Sequence, residues 1–428
     1  MTIASPVSTP AGQSAAAARP GLTPMDDALA QMLARIESLE GCETLSTFDA
    51  LGRVLAEEVR SLLDVPPADN TSMDGYAMRV ADVPAEGTLL PVSQRVPAGV
   101  VGEPLQPGTA ARIFTGAQLP PGADAVVMQE QCSAVSGEGL GAVQVNTVPT
   151  VGQWIRRRGE DVQHGSVVLA AGTRLTPAAL GLAASVGAAS LTVARRPRVA
   201  LFSTGDELVM PGEPLRPGAI YNSNRYTLRA LLQSFGCVVA DLGIVPDQRA
   251  ATRAALREAA AGHDLILTSG GVSVGEEDHI KPAVEAEGRL TLWQMAMKPG
   301  KPLAFGEVRR PAAEGGAAWF MGLPGNPVSS YVTCLLLVRP VLLRLQGVTD
   351  LAPKAYTLQA DFDWLRADKR REFLRVRLND RGGLDLFANQ SSGVLTSAHW
   401  GDGLVDNPGG QTIRAGDLVR YLPVREML

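Results

Sequence analysis

Short apolar runs and longer amphipathic segments alternate along the chain from about Arg196 to Leu345. Runs such as VALF, VVADLG and DLILTS have the length of strands, and the segments between them have the length and periodicity of helices. Strand–helix alternation of this kind predicts an α/β sandwich with a largely parallel sheet. A ligand of such a sheet binds beyond the carboxyl ends of its strands.

The segments on either side of this alternation have different patterns, so the chain is predicted to be a multidomain α/β plus β protein. Helical periodicity is present after Thr23 and again over 50–63, whereas short β-type runs divided by Pro and Gly fill 66–150. The predicted parts are a disordered leader (1–22), a helical and extended N-terminal linking domain (23–65 and 151–195), an inserted small β domain (66–150), the central α/β domain (196–348) and a C-terminal β-barrel-like domain (349–428).

Composition excludes several classes of protein. A net charge of -5 argues against a general nucleic-acid surface. The four cysteines form no CxxC pair, and the four histidines are scattered, so neither a disulfide framework nor a zinc site is indicated. The uncharged stretch from Leu175 to Ala194 is predicted to be a helix followed by a strand. The first residues contain no long apolar segment, and we expect a cytoplasmic protein that does not enter a membrane.

A polar cluster follows each of four predicted strands of the α/β domain: STGDEL, PDQRA, SGGVSVGEED and LPGNPVSS. Turn chemistry alone accounts for any one of them. Four at one edge of a sheet instead predict a phosphate site, because glycine lets backbone N–H groups approach an anion closely. The carboxylates of these clusters would hold a hard cation such as Mg²⁺.

Other motifs narrow the chemistry. No dinucleotide fingerprint follows the first strand of the α/β domain and no Walker-type loop occurs, which disfavours NAD enzymes and P-loop NTPases. KPGKP places Lys298 and Lys301 around a turn; this is either an exposed basic loop or a clamp for an oxyanion. In WIRRRGED, at least one of the three arginines is expected to belong to a solvated ion-pair patch.

One ordered set of motifs is specific to a known family. DNTSMDGYA, RIFTGAQLPPGADAVVMQE, IRRRGEDV, ALFSTGDEL, SGGVSVGEEDH, KPGKP and LPGNPVSS occur in this order from Thr23 onwards. The set resembles the MoeA-type molybdenum insertases, also called molybdopterin molybdotransferases, and the related E domain of gephyrin.

The resemblance implies a function, partners and a cofactor. It implies an elongated four-part subunit and a homodimer that carries out the final step of molybdenum cofactor synthesis, with Mg²⁺ required. The substrates would be adenylyl-molybdopterin and molybdate: the pyrophosphate is cleaved, AMP is released, and the metal is placed on the dithiolene. The upstream adenylyltransferase is a candidate partner.

The resemblance also assigns roles to residues. The implied catalytic residues are Asp74, Asp161, Glu207, Asp247 and Asp278, with Glu207 and Asp278 as metal ligands. The implied substrate-binding residues are Thr115, Arg156, Ser269, Gly270, Gly271, Ser273, Lys298, Lys301, Pro324, Gly325, Asn326 and Pro327. The implied molybdate contacts are Lys298, Lys301, Arg370 and Ser391 or Ser392. Asp74, Thr115, Arg156 and Asp161 would face the α/β domain of the partner subunit.

Two positions depart from the family pattern, and two other functions compete. Gln294 stands where some members have lysine, and Gly393 stands where many have arginine. The chain could instead be the preceding adenylyltransferase, which shares the α/β domain, although that enzyme is usually a short single-domain chain. A gephyrin-like scaffold is the third candidate, and the full set of pocket acids and lysines argues against it.

Overall fold

The central element is a six-stranded mixed sheet. Its strands, in spatial order, are Val238–Val245, Arg198–Thr204, Leu265–Ser269, Ala317–Leu323, Pro302–Arg309 and Gly288–Gln294. The first four strands are parallel, which agrees with the largely parallel sheet that the alternation predicted. Pro302–Arg309 runs antiparallel to both of its neighbours. Every residue of Leu265–Ser269 is buried, because helices cover both faces of a sheet of this kind.

The computed structural model describes residues 21–271 and 279–428. They divide into two compact units, Glu40–Arg195 and a second unit formed by the described residues up to Leu39 together with those from Arg196 to Leu428. The chain therefore has a multidomain α/β architecture, and the finer division into five segments stays a prediction of the sequence.

Helices flank the six-stranded sheet. They are Met25–Leu33, Ser223–Ser234, Arg249–Ala260, Ile280–Glu287, Pro327–Thr333 and Arg339–Leu345. A π-helical turn, Cys334–Val338, joins the last two, so the long helix predicted there continues past Pro340. By length and composition Pro327–Leu345 could cross a membrane, but it is 89% buried among its neighbours and is a core helix of this unit.

The C-terminal sheet belongs to the same unit. Its strands are, in order, Met297–Lys298, Arg371–Leu378, Gly403–Asn407, Leu418–Pro423 and Tyr356–Gln359, with Leu384–Leu386 added on Arg371–Leu378. Met297–Lys298 comes from the α/β segment and pairs in parallel with Arg371–Leu378, which places Lys298 opposite Glu372. One of the predicted oxyanion lysines is thereby fixed against the C-terminal sheet.

The unit Glu40–Arg195 contains a second six-stranded sheet. Its strands are, in order, Ala125–Met128, Gly75–Met78, Ala110–Ile113, Thr88–Val96, Ala142–Val145 and Cys132–Val135. Two-stranded pairs surround it: Cys42–Ser46 with Ser190–Ala194, Val59–Arg60 with Val167–Leu169, and Asn70–Thr71 with Ile155–Arg156. The helix Pro177–Ser185 starts where the sequence indicated, with the Thr176 hydroxyl accepting from the Ala179 N–H.

The prediction of a helix over 50–63 is wrong. The backbone there is extended: Leu55 bridges to Val193, and Val59–Arg60 forms a strand. The apolar periodicity was misleading because Leu62 is 81% exposed, whereas Val54 and Leu55 are both buried although they are adjacent. Pairing with distant segments, which the local pattern does not show, decides the conformation.

Phe305 lets the packing of this sheet be tested. It is fully buried, with Trp319 stacked at 5.3 Å and Trp293 at 5.9 Å between ring centroids. We expect Phe305→Ala to lower the free energy of unfolding by about 3–5 kcal/mol, since it removes the stacking and leaves a cavity. Denaturant titration followed by tryptophan fluorescence measures this. The control, Phe48→Ala, truncates a ring that is 92% exposed and should shift the midpoint little.

Candidate active site

A cavity of 870 Å³ lies in the unit that contains the α/β sheet, at the carboxyl ends of the parallel strands. The loops after Arg198–Thr204, Leu265–Ser269 and Ala317–Leu323 form one side of it. The predicted site residues that line it are Glu207, Asp247, Ser269, Gly270, Gly271, Lys298, Lys301, Pro324, Gly325, Asn326, Pro327, Arg370, Ser391 and Ser392. Segments far apart in sequence thus meet around one space of ligand size.

Two glycines after the strand Leu265–Ser269 have conformations that only glycine tolerates. Gly270 has φ +91°, and a Cβ there would lie 2.8 Å from the carbonyl oxygen of Thr204. Gly271 has φ +63°, and a Cβ there would lie 2.7 Å from Cγ1 of Ile280. The chain therefore turns tightly against Thr204 and leaves its backbone accessible to a ligand.

Asn224 joins the two glycine-containing loops. It is 8% exposed, and its Nδ2 donates to Oγ of Ser269 at 2.7 Å and to the carbonyl oxygen of Gly325 at 2.7 Å. The sequence analysis missed this residue because it lies inside the helix Ser223–Ser234, where it looks like an ordinary polar position. Its partners are far away in sequence, so no local signal identifies it.

Two buried side chains of the cavity wall have polar atoms without a partner among the described residues. They are Oγ1 of Thr204, which is 4% exposed, and Nδ2 of Asn222, which is 2% exposed. Oδ1 of Asn222 caps the helix Ser223–Ser234 by accepting from the Arg225 N–H at 3.1 Å. A buried donor without a partner is costly, so both groups are suited to a polar ligand.

Glu207 and Asp247 contribute carboxylates to the cavity. The Glu207 carboxylate packs so closely on Gly205, with φ +148°, that a Cβ at Gly205 would meet its Oε2 at 2.6 Å. Oxygen donors of this kind fit Mg²⁺, which keeps several waters and usually binds through one or two carboxylates plus substrate phosphate. No group of three His, Cys, Asp or Glu suited to a metal occurs within 21–271 and 279–428.

Three cations also line the cavity, Lys298, Lys301 and Arg370, and together they form its cationic wall. Lys298 Nζ donates to Oε1 of Glu372 at 3.1 Å and lies 3.4 Å from Oδ2 of Asp368. Arg370 donates to the two oxygens of Asp368 at 3.0 and 2.8 Å. These hydrogen bonds from Arg370 hold the pKa of Asp368 well below its usual range, despite partial burial. Lys301 is exposed and has no ion pair with any described residue.

Arg375 holds the serine segment of the cavity wall. It is 2% exposed, and its guanidinium donates to Oγ of Ser397, to the carbonyl of Phe373 and, at 3.4 Å, to the carbonyl of Ser391. Burial lowers the pKa of Arg375 to about 10. The Gln390 side chain accepts from the N–H of Arg375 and donates back to its carbonyl. The cavity wall at Ser391 is thus anchored on a buried cation.

The two departures from the family pattern are placed differently. Gln294 does not line the cavity; its carbonyl accepts from the Thr23 N–H at 2.8 Å. Gly393 is exposed, and a Cβ at this position would have no atom within 4 Å. The pocket therefore gains no contact from Gln294.

The remaining predicted residues are elsewhere. Asp74 accepts from Oγ1 of Thr115 at 2.6 Å and from its N–H at 2.7 Å, which holds the pKa of Asp74 below its usual value. These two, Arg156 and Asp161 all belong to the unit Glu40–Arg195. Ser273 and Asp278 lie outside the described residues.

The arginines of WIRRRGED separate as the ion-pair interpretation predicted. Arg157 pairs with Asp69 at 2.7 Å and Arg158 pairs with Asp64 at 2.6 Å. Arg156 is exposed and forms no ion pair with the described part of the chain. Two of the three cations are therefore structural, and Arg156 is the one with its charge available.

The fold and the cavity define a class. A glycine loop after a parallel strand, with carboxylates and cations lining the same cavity, is a feature of α/β proteins that bind phosphorylated, anionic ligands.

Comparison with known proteins identifies the family. Residues 23–187 match the MoeA N-terminal region (domains I and II), residues 200–344 a probable molybdopterin-binding domain, and residues 357–424 the MoeA C-terminal region (domain IV). The chain belongs to the molybdopterin molybdenumtransferase family, as the ordered motifs indicated.

Individual relatives extend over most of the chain. The molybdopterin molybdenumtransferase of Haemophilus influenzae is 40% identical over 85% of this chain and 88% of its own. That of Nostoc sp. is 37% identical over 92% of both chains. A crystal structure of the molybdopterin biosynthesis MoeA protein from Pyrococcus horikoshii superposes with a TM-score of 0.79 at 28% identity, covering 94% of this chain and 100% of that one.

The glycine loop generates a prediction about stability. We expect Gly270→Ala to destabilise the fold by about 1–3 kcal/mol, because the methyl group meets the Thr204 carbonyl and φ +91° is strained for alanine. The matched control is Gly325→Ala, whose Cβ has Gly270 Cα at 3.8 Å as its nearest neighbour. Urea unfolding of both variants compares them; equal destabilisation would contradict the steric argument.

Proposed function

We propose that this protein transfers molybdenum to molybdopterin. Adenylyl-molybdopterin occupies the cavity, its pyrophosphate bond is cleaved with release of AMP, and molybdate delivers the metal to the dithiolene. The observation that supports this most is the convergence of the glycine loop, two carboxylates and three cations on one cavity, since both substrates are anions. Family membership supports the same reaction.

The roles of the residues follow from charge and position. The N–H of Gly271 would orient the phosphates, since that of Gly270 already donates to the carbonyl of Leu323 at 3.1 Å. Lys298, Lys301 and Arg370 would offset the repulsion between pyrophosphate and molybdate, with Ser391 as a further molybdate contact. Preorganised charges of this kind are usually the largest contribution to catalysis.

We further propose Mg²⁺ dependence. Glu207 and Asp278 would hold the ion, with Asp247 nearby as a carboxylate of the same wall. When bound, Mg²⁺ would neutralise phosphate oxygens and polarise the bond that breaks. The support is the donor chemistry of Glu207 and Asp247, which line the cavity.

The homodimer and the cellular location are also proposals. In the dimer, Asp74, Thr115, Arg156 and Asp161 would serve the cavity of the partner subunit. A transient complex with the upstream adenylyltransferase would deliver the substrate. The cytoplasm is the proposed location, on sequence grounds alone.

The deciding experiment measures AMP release from adenylyl-molybdopterin, with and without molybdate and with and without Mg²⁺. Molybdate-dependent release, with metal on the pterin dithiolene, supports the transferase. Consumption of ATP with free molybdopterin would instead identify the adenylyltransferase. Tight binding without turnover would identify a scaffold.

Lys301→Ala tests the cationic wall. We expect kcat/KM for AMP release to fall by about 10²- to 10³-fold, because an unpaired ammonium that stabilises developing negative charge is lost. The control is Lys281→Ala, which removes an exposed lysine outside the cavity and should leave the rate unchanged. Equal rates for both variants would remove Lys301 from the mechanism.

Mixing two inactive variants tests the shared site. Asp74→Asn and Lys301→Ala change opposite sides of a site that two subunits would build together. After subunit exchange, half of the dimers are mixed and each has one intact site, so about a quarter of the wild-type activity should return. If activity stays absent after exchange, confirmed by tagged subunits, both residues act within one chain or Asp74 has another role.

A further inference from the structure

Two of the cations that line the cavity, Lys298 and Arg370, are engaged by the carboxylate of Asp368, a residue that does not itself line the cavity. Arg370 directs its fork at this carboxylate, with Nε at 3.0 Å from Oδ1 and one terminal nitrogen at 2.8 Å from Oδ2. Lys298 approaches Oδ2 to 3.4 Å. A two-pronged arginine contact plus a lysine is the arrangement with which proteins bind planar or tetrahedral oxyanions.

The two carboxylates beside Lys298 differ in their freedom to leave. The Glu372 side chain is 1% exposed and accepts from three donors: Lys298, Trp364 Nε1 at 2.8 Å and Asn407 Nδ2 at 3.5 Å. Moving it would leave the buried charge of Glu372 without its three partners and the half-buried Trp364 indole N–H without an acceptor. Glu372 therefore positions Lys298 permanently.

The Asp368 side chain is 23% exposed, and among the described residues its oxygens bind only the two cavity cations and the Arg370 N–H. Its backbone is held separately, because its carbonyl accepts from the Gly410 N–H at 2.6 Å. A rotation about the side-chain bonds would move the carboxylate into water without moving the strand that begins at Arg371.

The charge balance shows what the rotation would change. With Asp368 in place, the charges of Lys298, Arg370, Asp368 and Glu372 sum to zero, and Lys301 is the only cation of the wall left unpaired among the described residues. With Asp368 turned away, the same wall gains one net positive charge and an open arginine fork. A dianion would then meet two further donor groups, the guanidinium of Arg370 and the part of the Lys298 ammonium that Glu372 does not engage.

We propose that Asp368 is an internal competitor for the oxyanion site, which molybdate must displace from Arg370 and Lys298 to bind. This rests on the proposed function, since it takes that wall as the molybdate site. The low pKa of Asp368 means that the competitor stays ionised at neutral pH. Affinity for the oxyanion is therefore weaker than the three cations alone would give, and binding is coupled to release of one carboxylate.

Calorimetric titration of the full chain with molybdate tests the competition. We expect Asp368→Asn and Asp368→Ala to bind molybdate about tenfold more tightly than wild type, because no carboxylate has to be displaced. The matched control is Asp380→Asn, which makes the same charge change at an exposed position of the same sheet region and should alter affinity less than about twofold. Thermal unfolding checks that each variant is folded, and the asparagine variant decides if the alanine variant is not.

The outcomes separate this inference from the proposed function. The Lys301→Ala variant shows whether molybdate binds at this cavity, since the loss of this cavity-lining lysine should weaken the affinity for molybdate. If folded Asp368→Asn binds molybdate no more tightly than wild type while Lys301→Ala still weakens binding, the proposal that Asp368 competes with molybdate is overturned. Asp368 would then be a residue that only positions the two cations. Absence of molybdate binding in wild type and in every variant would instead contradict the oxyanion site itself.

Discussion

The parallel pairing of Leu265–Ser269 between Arg198–Thr204 and Ala317–Leu323 is the constraint from which the site follows. Its register sets Ser203 beside Ser269 and Ser269 beside Leu323, so the three strands end at one level. Parallel strands point their carboxyl ends the same way, and their loops must therefore meet. Burial of all three strands makes this alignment hard to shift, and Asn224 then ties the second and third loops together.

The cationic wall depends on a different interaction, the parallel pairing of Met297–Lys298 with Arg371–Leu378. This short pairing places an α/β lysine opposite Glu372, where a buried carboxylate fixes it. Arg370, one residue before that strand, then brings its guanidinium and Asp368 to the same space. The ion pair with Glu372 thus holds Lys298 in place before any ligand arrives, which lowers the reorganisation that binding requires at this cation.

Local pattern predicted the elements whose conformation local chemistry decides. Runs such as LILTS and the capped helix after Thr176 were predicted correctly, because apolar periodicity and a hydroxyl cap act within a few residues. The segment 50–63 was predicted incorrectly, since Leu55 pairs with Val193. Asn224 was missed for the same reason, because its partners Ser269 and Gly325 are distant in sequence. Asp368 was missed although Arg370 lies two residues away, because its contact with Lys298 depends on the pairing of two distant strands.

The sequence by itself determined the order of strands and helices, the family, and which residue types would meet an anion, because motif order and periodicity are properties of the chain. Only the tertiary structure decided which charges are free. Lys298, Lys301 and Arg370 are equivalent cations in the sequence, yet within 21–271 and 279–428 carboxylates engage two of them and not Lys301. Pairing depends on distances of a few ångströms between side chains on different elements, and packing of the two sheets sets those distances.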